Sequence, residues 1–122
     1  FWSLSMNFIK KFKNKHVFNQ ESKDELPKFK NNDLVRYRIV FFGIVQHVGF
    51  RFEAEQMAVK LQLTGWVKNL ANGTVEMEIQ GSDKKIDSLL QYMNSLKWIE
   101  IDRMSKDPLL VLHGEKNFDV RQ

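Results

Sequence analysis

The sequence has 122 residues, with 43% apolar and 28% charged residues, no cysteine and a formal net charge of +4. That length suits one compact domain, the composition excludes wholesale disorder and collagen-like repeats, and no stretch approaches the roughly 18 apolar residues that a membrane-spanning helix needs. The missing cysteines exclude disulfides, thiolate zinc sites and Cys-X-X-Cys motifs, and are compatible with a reducing cytoplasm.

The charge is unevenly placed: residues 1–33 carry a net +3 and residues 34–122 only +1. The basicity belongs to the N-terminal part, and the remainder lacks the diffuse basic face of a nucleic-acid binder. The chain opens on Phe1 and not on Met, as expected of a processed or truncated chain or of one with added residues; Met6 is a candidate natural start, which would make residues 1–5 foreign. Phe8, Ile9, Phe12 and Phe18 are then mixed with Lys10, Lys11, Lys13 and Lys15. As a helix this stretch suits a membrane surface or an acidic partner; the plainer expectation is a mobile, solvated tail. It has no apolar core of the length a secretory signal requires. Residues 20–33 are polar, include Pro27 and read as a linker, so the domain is expected over residues 34–122.

From there the pattern becomes regular. Val35, Tyr37, Ile39 and Phe41 alternate with Arg36 and Arg38 as a first strand, which Gly43 is expected to interrupt. Ala54, Met57, Ala58 and Leu61 recur at i, i+3, i+4 and i+7 and predict a helix with one buried stripe. Residues 65–69 read as a second strand and Asn72-Gly73 as a turn. Val75, Met77 and Ile79 alternate with Glu76, Glu78 and Gln80 as a third strand with one wet face. Ser82 or Asp83 can cap a second helix whose stripe is Ile86, Leu89, Leu90 and Met93. Residues 98–104 predict a fourth strand that Pro108 ends, and Phe118 with Val120 mark a short last one. The order β-α-β-β-α-β gives an α+β, ferredoxin-like sandwich, with an antiparallel sheet and two helices on one face.

Two segments carry chemistry. The first, Gly43-Ile44-Val45-Gln46-His47-Val48-Gly49-Phe50-Arg51, links a strand to a helix. Such a loop offers main-chain N–H groups without intrahelical partners and the positive end of the helix dipole, a place where phosphate-like anions bind. Arg51 adds a planar fork of donors. On this segment alone, an ordinary turn with Arg51 in water explains the residues as well. The second segment is Gly65-Trp66-Val67-Lys68-Asn69 with Gly73, Val75 and Gly81, which by itself reads as a hairpin with Trp66 in the core. Position joins the two. A strand-helix-strand crossover makes the first two strands parallel, so the loop and Asn69 fall on one sheet edge.

Together these segments resemble the acylphosphatase family, with its phosphate loop G-x-V-Q-x-V-G-F-R and hairpin G-W-V-x-N-x-x-x-G-x-V-x-x-x-x-x-G, over residues 34–122. The resemblance implies hydrolysis of acyl phosphates, the mixed anhydrides of a carboxylic acid and phosphate, without metal or cofactor. It assigns catalysis to Arg51 and Asn69, and substrate binding to Gln46, His47, Val48, Gly49, Phe50 and Arg51. Three features depart from the family pattern: His47 stands where many members have glycine, Leu70 stands where a hydroxyl residue is common, and the basic tail is additional. Thr74 is a candidate to supply the hydroxyl missing at Leu70, and His47 remains compatible with anion binding if its φ is negative.

The remaining candidates are poorer. His16, His47 and His113 lack ligand spacing, the five methionines are scattered, and Glu53 and Glu55 read as first-turn acids serving the helix dipole. The alternatives are a non-catalytic small-anion-binding or regulatory module and an RNA-binding domain, and the acidic third strand argues against the second. The expectation is a cytoplasmic monomer whose partner is an acyl phosphate or inorganic phosphate, with no nucleic acid and no membrane span.

Overall fold

In a computed structural model of the protein, residues 33–122 are described, so the expected tail and most of the expected linker lie outside the described residues. Strand β1 (Val35–Ile44) leads to helix α1 (Phe50–Lys60), then β2 (Thr64–Asn69) and β3 (Val75–Gly81). Helix α2 (Asp83–Ser95), β4 (Glu100–Leu109) and β5 (Phe118–Arg121) follow. The strand order is β4-β1-β3-β2-β5, and the first four strands pair antiparallel. β5 joins β2 in parallel, so the sheet is mixed rather than wholly antiparallel. Both helices pack on one face. Ile39, Phe41, Val67, Val75, Met77 and Ile79 meet Ala54 and Ala58 of α1 and Ile86, Leu89, Leu90 and Met93 of α2, all buried. The period-two and i, i+3, i+4, i+7 patterns are the two halves of this core. Ser82 caps α2 by accepting from the Lys85 amide at 3.2 Å.

Three local readings need correction. Gly43 continues β1 instead of ending it: the register shifts between Phe42 and Gly43, and Gly43 then pairs with Ile101. At φ +133°, with a hypothetical Cβ running into the Glu100 carbonyl, only glycine fits this bulge. Pro108 lies inside β4, opposite Tyr37. It is tolerated because β4 is an edge strand, where a missing N–H can fall on the unpaired side.

The second sheet face is also less wet than alternation implies. Arg36 is only 2% exposed. Its guanidinium donates to Glu78 at 2.9 and 3.1 Å, to Glu115 at 2.7 Å and to the Gln80 Oε1 at 3.1 Å. Gln80 in turn bonds the Leu112 amide and carbonyl at 2.8 and 3.0 Å, drawing the segment after β4 over this end of the sheet. Burial alone raises the Glu115 carboxyl, but hydrogen bonds from Arg36 and Thr64 and the charges of Arg36 and Arg121 outweigh it, and the net shift is downward. A carboxyl lowered in the folded state stabilises the fold above its unfolded pKa, and that contribution is lost as pH falls through the folded value. Glu115→Gln is therefore expected to cost about 1–2 kcal/mol at pH 7 and much less near pH 3. Urea titrations of both proteins at the two pH values measure the gap, and a gap independent of pH contradicts the assignment.

Candidate active site

The loop between β1 and α1 is pinned at both ends. Val45 is buried at its start, and the buried Phe50 ring at its end meets Phe41 with centroids 4.8 Å apart. Val48 packs half-buried against the core between them. These anchors force a tight path, and the chain takes it through two left-handed residues, His47 at φ +64° and Gly49 at φ +82°. Gly49 adopts this conformation without a Cβ penalty, whereas His47 does not. The condition set on His47 from sequence is therefore not met: the position does require positive φ, but His47 adopts it and still lines the pocket, so its main-chain N–H stays at the anion site. His47→Gly is expected to stabilise the fold by about 1 kcal/mol, the left-handed penalty less the extra chain entropy of glycine. A rise of a few degrees in Tm checks it, and an unchanged or lower Tm contradicts the strain.

Gly49 is the N-cap of α1 and supplies no side-chain hydrogen bond. The first-turn N–H groups have no intrahelical acceptors, so they remain available to an external anion. α2 differs, because Ser82 occupies that role.

A pocket of about 370 Å³ opens at this helix end. His47, Gly49, Phe50, Arg51, Phe52 and Glu55 line it from the loop and α1, Asn69 from the end of β2, and Val120 and Gln122 from the C-terminal segment. Arg51 and Asn69, eighteen positions apart in sequence, thus share one cavity. The topology accounts for this: β1 and β2 run parallel with β3 between them, so both C-terminal ends reach the same edge. Arg51 donates from Nη1 to the Arg121 carbonyl at 3.1 Å, so β5 fixes one corner of the guanidinium.

Gln46 and Val48 do not line the cavity. The Gln46 side chain turns away and donates to the Leu70 and Thr74 carbonyls at 2.7 and 2.8 Å. The Thr74 hydroxyl is spent on Asn72 Oδ1 at 2.6 Å, inside the hairpin turn, so it does not stand in for the hydroxyl absent at Leu70. Glu53 accepts from the Tyr92 hydroxyl at 2.7 Å, a link between the helices. Sequence reasoning missed Glu55 as a lining residue. Its i, i+4 spacing from Arg51 was the available signal, since those positions share a helix face. Phe52 also lines the cavity while remaining 61% exposed. Among the described residues, no group of three or more His, Cys, Asp or Glu is placed to hold a metal ion.

Comparison with known proteins identifies the family. The acylphosphatase family model matches residues 37–120. An acylphosphatase of Clostridium beijerinckii is 38% identical over 92 residues, covering 72% of this chain and 99% of the relative. One from Geobacillus kaustophilus is 40% identical over 86 residues, covering 70% of this chain and 92% of its own length. The crystal structure of acylphosphatase from Bacillus subtilis superposes with a TM-score of 0.67 at 30% identity, covering 72% of this chain and 99% of that one. The two sequence segments, the strand order and the pocket they form thus occur together in a chain that belongs to the acylphosphatase family.

Proposed function

We propose that this protein hydrolyses acyl phosphates to a carboxylate and inorganic phosphate, and that Arg51 and Asn69 carry the reaction. The observation behind this is the single pocket in which a guanidinium, an uncapped helix N-terminus and a carboxamide converge. The carboxylate of a mixed anhydride is a good leaving group, so the catalyst mainly has to neutralise phosphoryl charge and hold one water in line. Arg51 and the main-chain N–H groups of the loop residues that line the pocket, His47, Gly49, Phe50 and Arg51, take the phosphoryl oxygens. The Asn69 amide orients the water opposite the leaving oxygen. A neutral amide suits that place because a carboxylate would repel the dianion. As the water oxygen bonds to phosphorus, the P–O bond to the acyl group breaks and its electron pair leaves on the carboxylate. The water proton passes to a phosphoryl oxygen, giving dihydrogen phosphate.

Residues 34–122 form the catalytic unit in this reading, which takes the protein as a monomer. The cysteine-free composition suits a cytoplasmic setting. The test is release of phosphate from benzoyl and acetyl phosphate by the intact chain. Saturable turnover is expected. Inhibitory binding of inorganic phosphate without turnover above the spontaneous rate would instead identify a small-anion-binding module.

A further inference from the structure

We infer that Gln46 is a positioning residue whose side-chain amide latches the phosphate loop to the hairpin carrying Asn69, and so sets the distance between the bound phosphoryl group and the attacking water. The inference rests on the hydrolytic reading above, but assigns Gln46 a task distinct from anion binding. One nitrogen, Gln46 Nε2, bridges two main-chain carbonyls that lie 24 and 28 residues further on, Leu70 at 2.7 Å and Thr74 at 2.8 Å. These carbonyls are the points where the hairpin loop closes on itself. The Leu70 amide donates to the Thr74 carbonyl at 2.9 Å, and the Gly73 amide donates to the Leu70 carbonyl at 3.2 Å. Asn72 Oδ1 accepts from the Thr74 amide at 3.1 Å and from its hydroxyl at 2.6 Å. The loop is thus internally tied, and Gln46 fastens it as a unit to the anion-binding loop.

Asn69 is the last residue of β2 and immediately precedes Leu70. A shift of the Leu70 carbonyl therefore moves the Asn69 main chain, and with it the side-chain amide. Gln46 is one residue before His47 and five before Arg51, on the other half of the site. No other hydrogen bond described between the two loops joins them so directly. Both amide hydrogens of Gln46 have acceptors, so the side chain has no donor left for a phosphoryl oxygen. Any direct contribution of this residue to the anion comes from its main chain.

Gln46→Met keeps the length and removes the donors. A misplacement of about 1 Å at a reacting centre costs up to roughly 100-fold, so kcat for benzoyl phosphate is expected to fall roughly ten- to a hundredfold while inhibition by inorganic phosphate changes less than about twofold. In an Asn69→Ala background the same substitution is expected to change kcat little, since the group it positions is gone. Full kcat in Gln46→Met, a matching loss of phosphate inhibition, or an undiminished loss in the Asn69→Ala background each overturns the latch. If Gln46→Met does not fold, Gln46→Glu reads the same quantity. Its protonated acid can donate to one carbonyl, so its rate relative to wild type is expected to rise as pH falls through the carboxyl pKa, and a flat ratio overturns the inference. Wild-type turnover separates the two levels: an inactive wild type counts against the hydrolytic reading, and an active wild type with an indifferent Gln46 counts against the latch alone.

Discussion

Arg51→Lys retains the positive charge yet is expected to lower kcat/KM for benzoyl phosphate by on the order of 10²–10³-fold. Inhibition by inorganic phosphate should weaken in parallel, roughly ten- to a hundredfold, the size of one or two lost charge-assisted hydrogen bonds. The reason is geometric. The guanidinium has five N–H donors in a fixed plane, and one of them is held by the Arg121 carbonyl at 3.1 Å. That bond orients the plane and leaves the other donors for two phosphoryl oxygens. A lysine ammonium is a point charge on a flexible stem, and it must divide its donors between the same carbonyl and the anion. Steady-state kinetics with phosphate as competitive inhibitor read both quantities. Near-normal inhibition in Arg51→Lys would show that charge suffices and that the fork has no role. A thermal melt separates this from unfolding, because Arg51 is not part of the buried core.

Much of this site was legible because its two segments are local in sequence while the crossover brings them together. The loop at residues 43–51 and the hairpin at residues 65–69 each contain their own turn chemistry, and the strand-helix-strand connection, which makes β1 and β2 parallel, places both at one edge. What could not be read are the contacts made across large sequence distances. The Arg121 carbonyl that steadies Arg51 lies 70 residues away, and nothing in the Phe118–Arg121 stretch signals a parallel pairing with β2. Arg36 illustrates the same limit. Strand alternation puts it on an outward face, and only the folded segment bearing Leu112 and Glu115 turns that face into a buried network. His47 shows a third kind of failure. Its left-handed φ is imposed by the buried anchors Val45 and Phe50, so the requirement lies in the path between them and not in its own identity. Pro108 ends no strand because its effect depends on whether that strand lies at an edge, which is a property of the sheet.

Asn69→Ala separates binding from chemistry in the opposite way to Arg51. The side chain sits at the end of β2, opposite Val75 of β3, and reaches the pocket from the side facing the loop and α1. In the proposed reaction it touches the incoming water rather than the phosphoryl oxygens, so its removal leaves the anion site assembled. The expected result is a fall in kcat on the order of 10²–10³-fold, by analogy with deletion of a single positioned donor at a reacting centre. Inhibition by inorganic phosphate should stay within about twofold of wild type, since no charge-assisted bond to the anion is lost. A loss seen in kcat with KM nearly fixed is the signature of an interaction made only as the water attacks. A folded Asn69→Ala protein with normal turnover would remove the water-positioning role. A proportional loss of phosphate inhibition would instead move Asn69 into the group that grips the anion, leaving the attacking water to be held by another residue of the pocket.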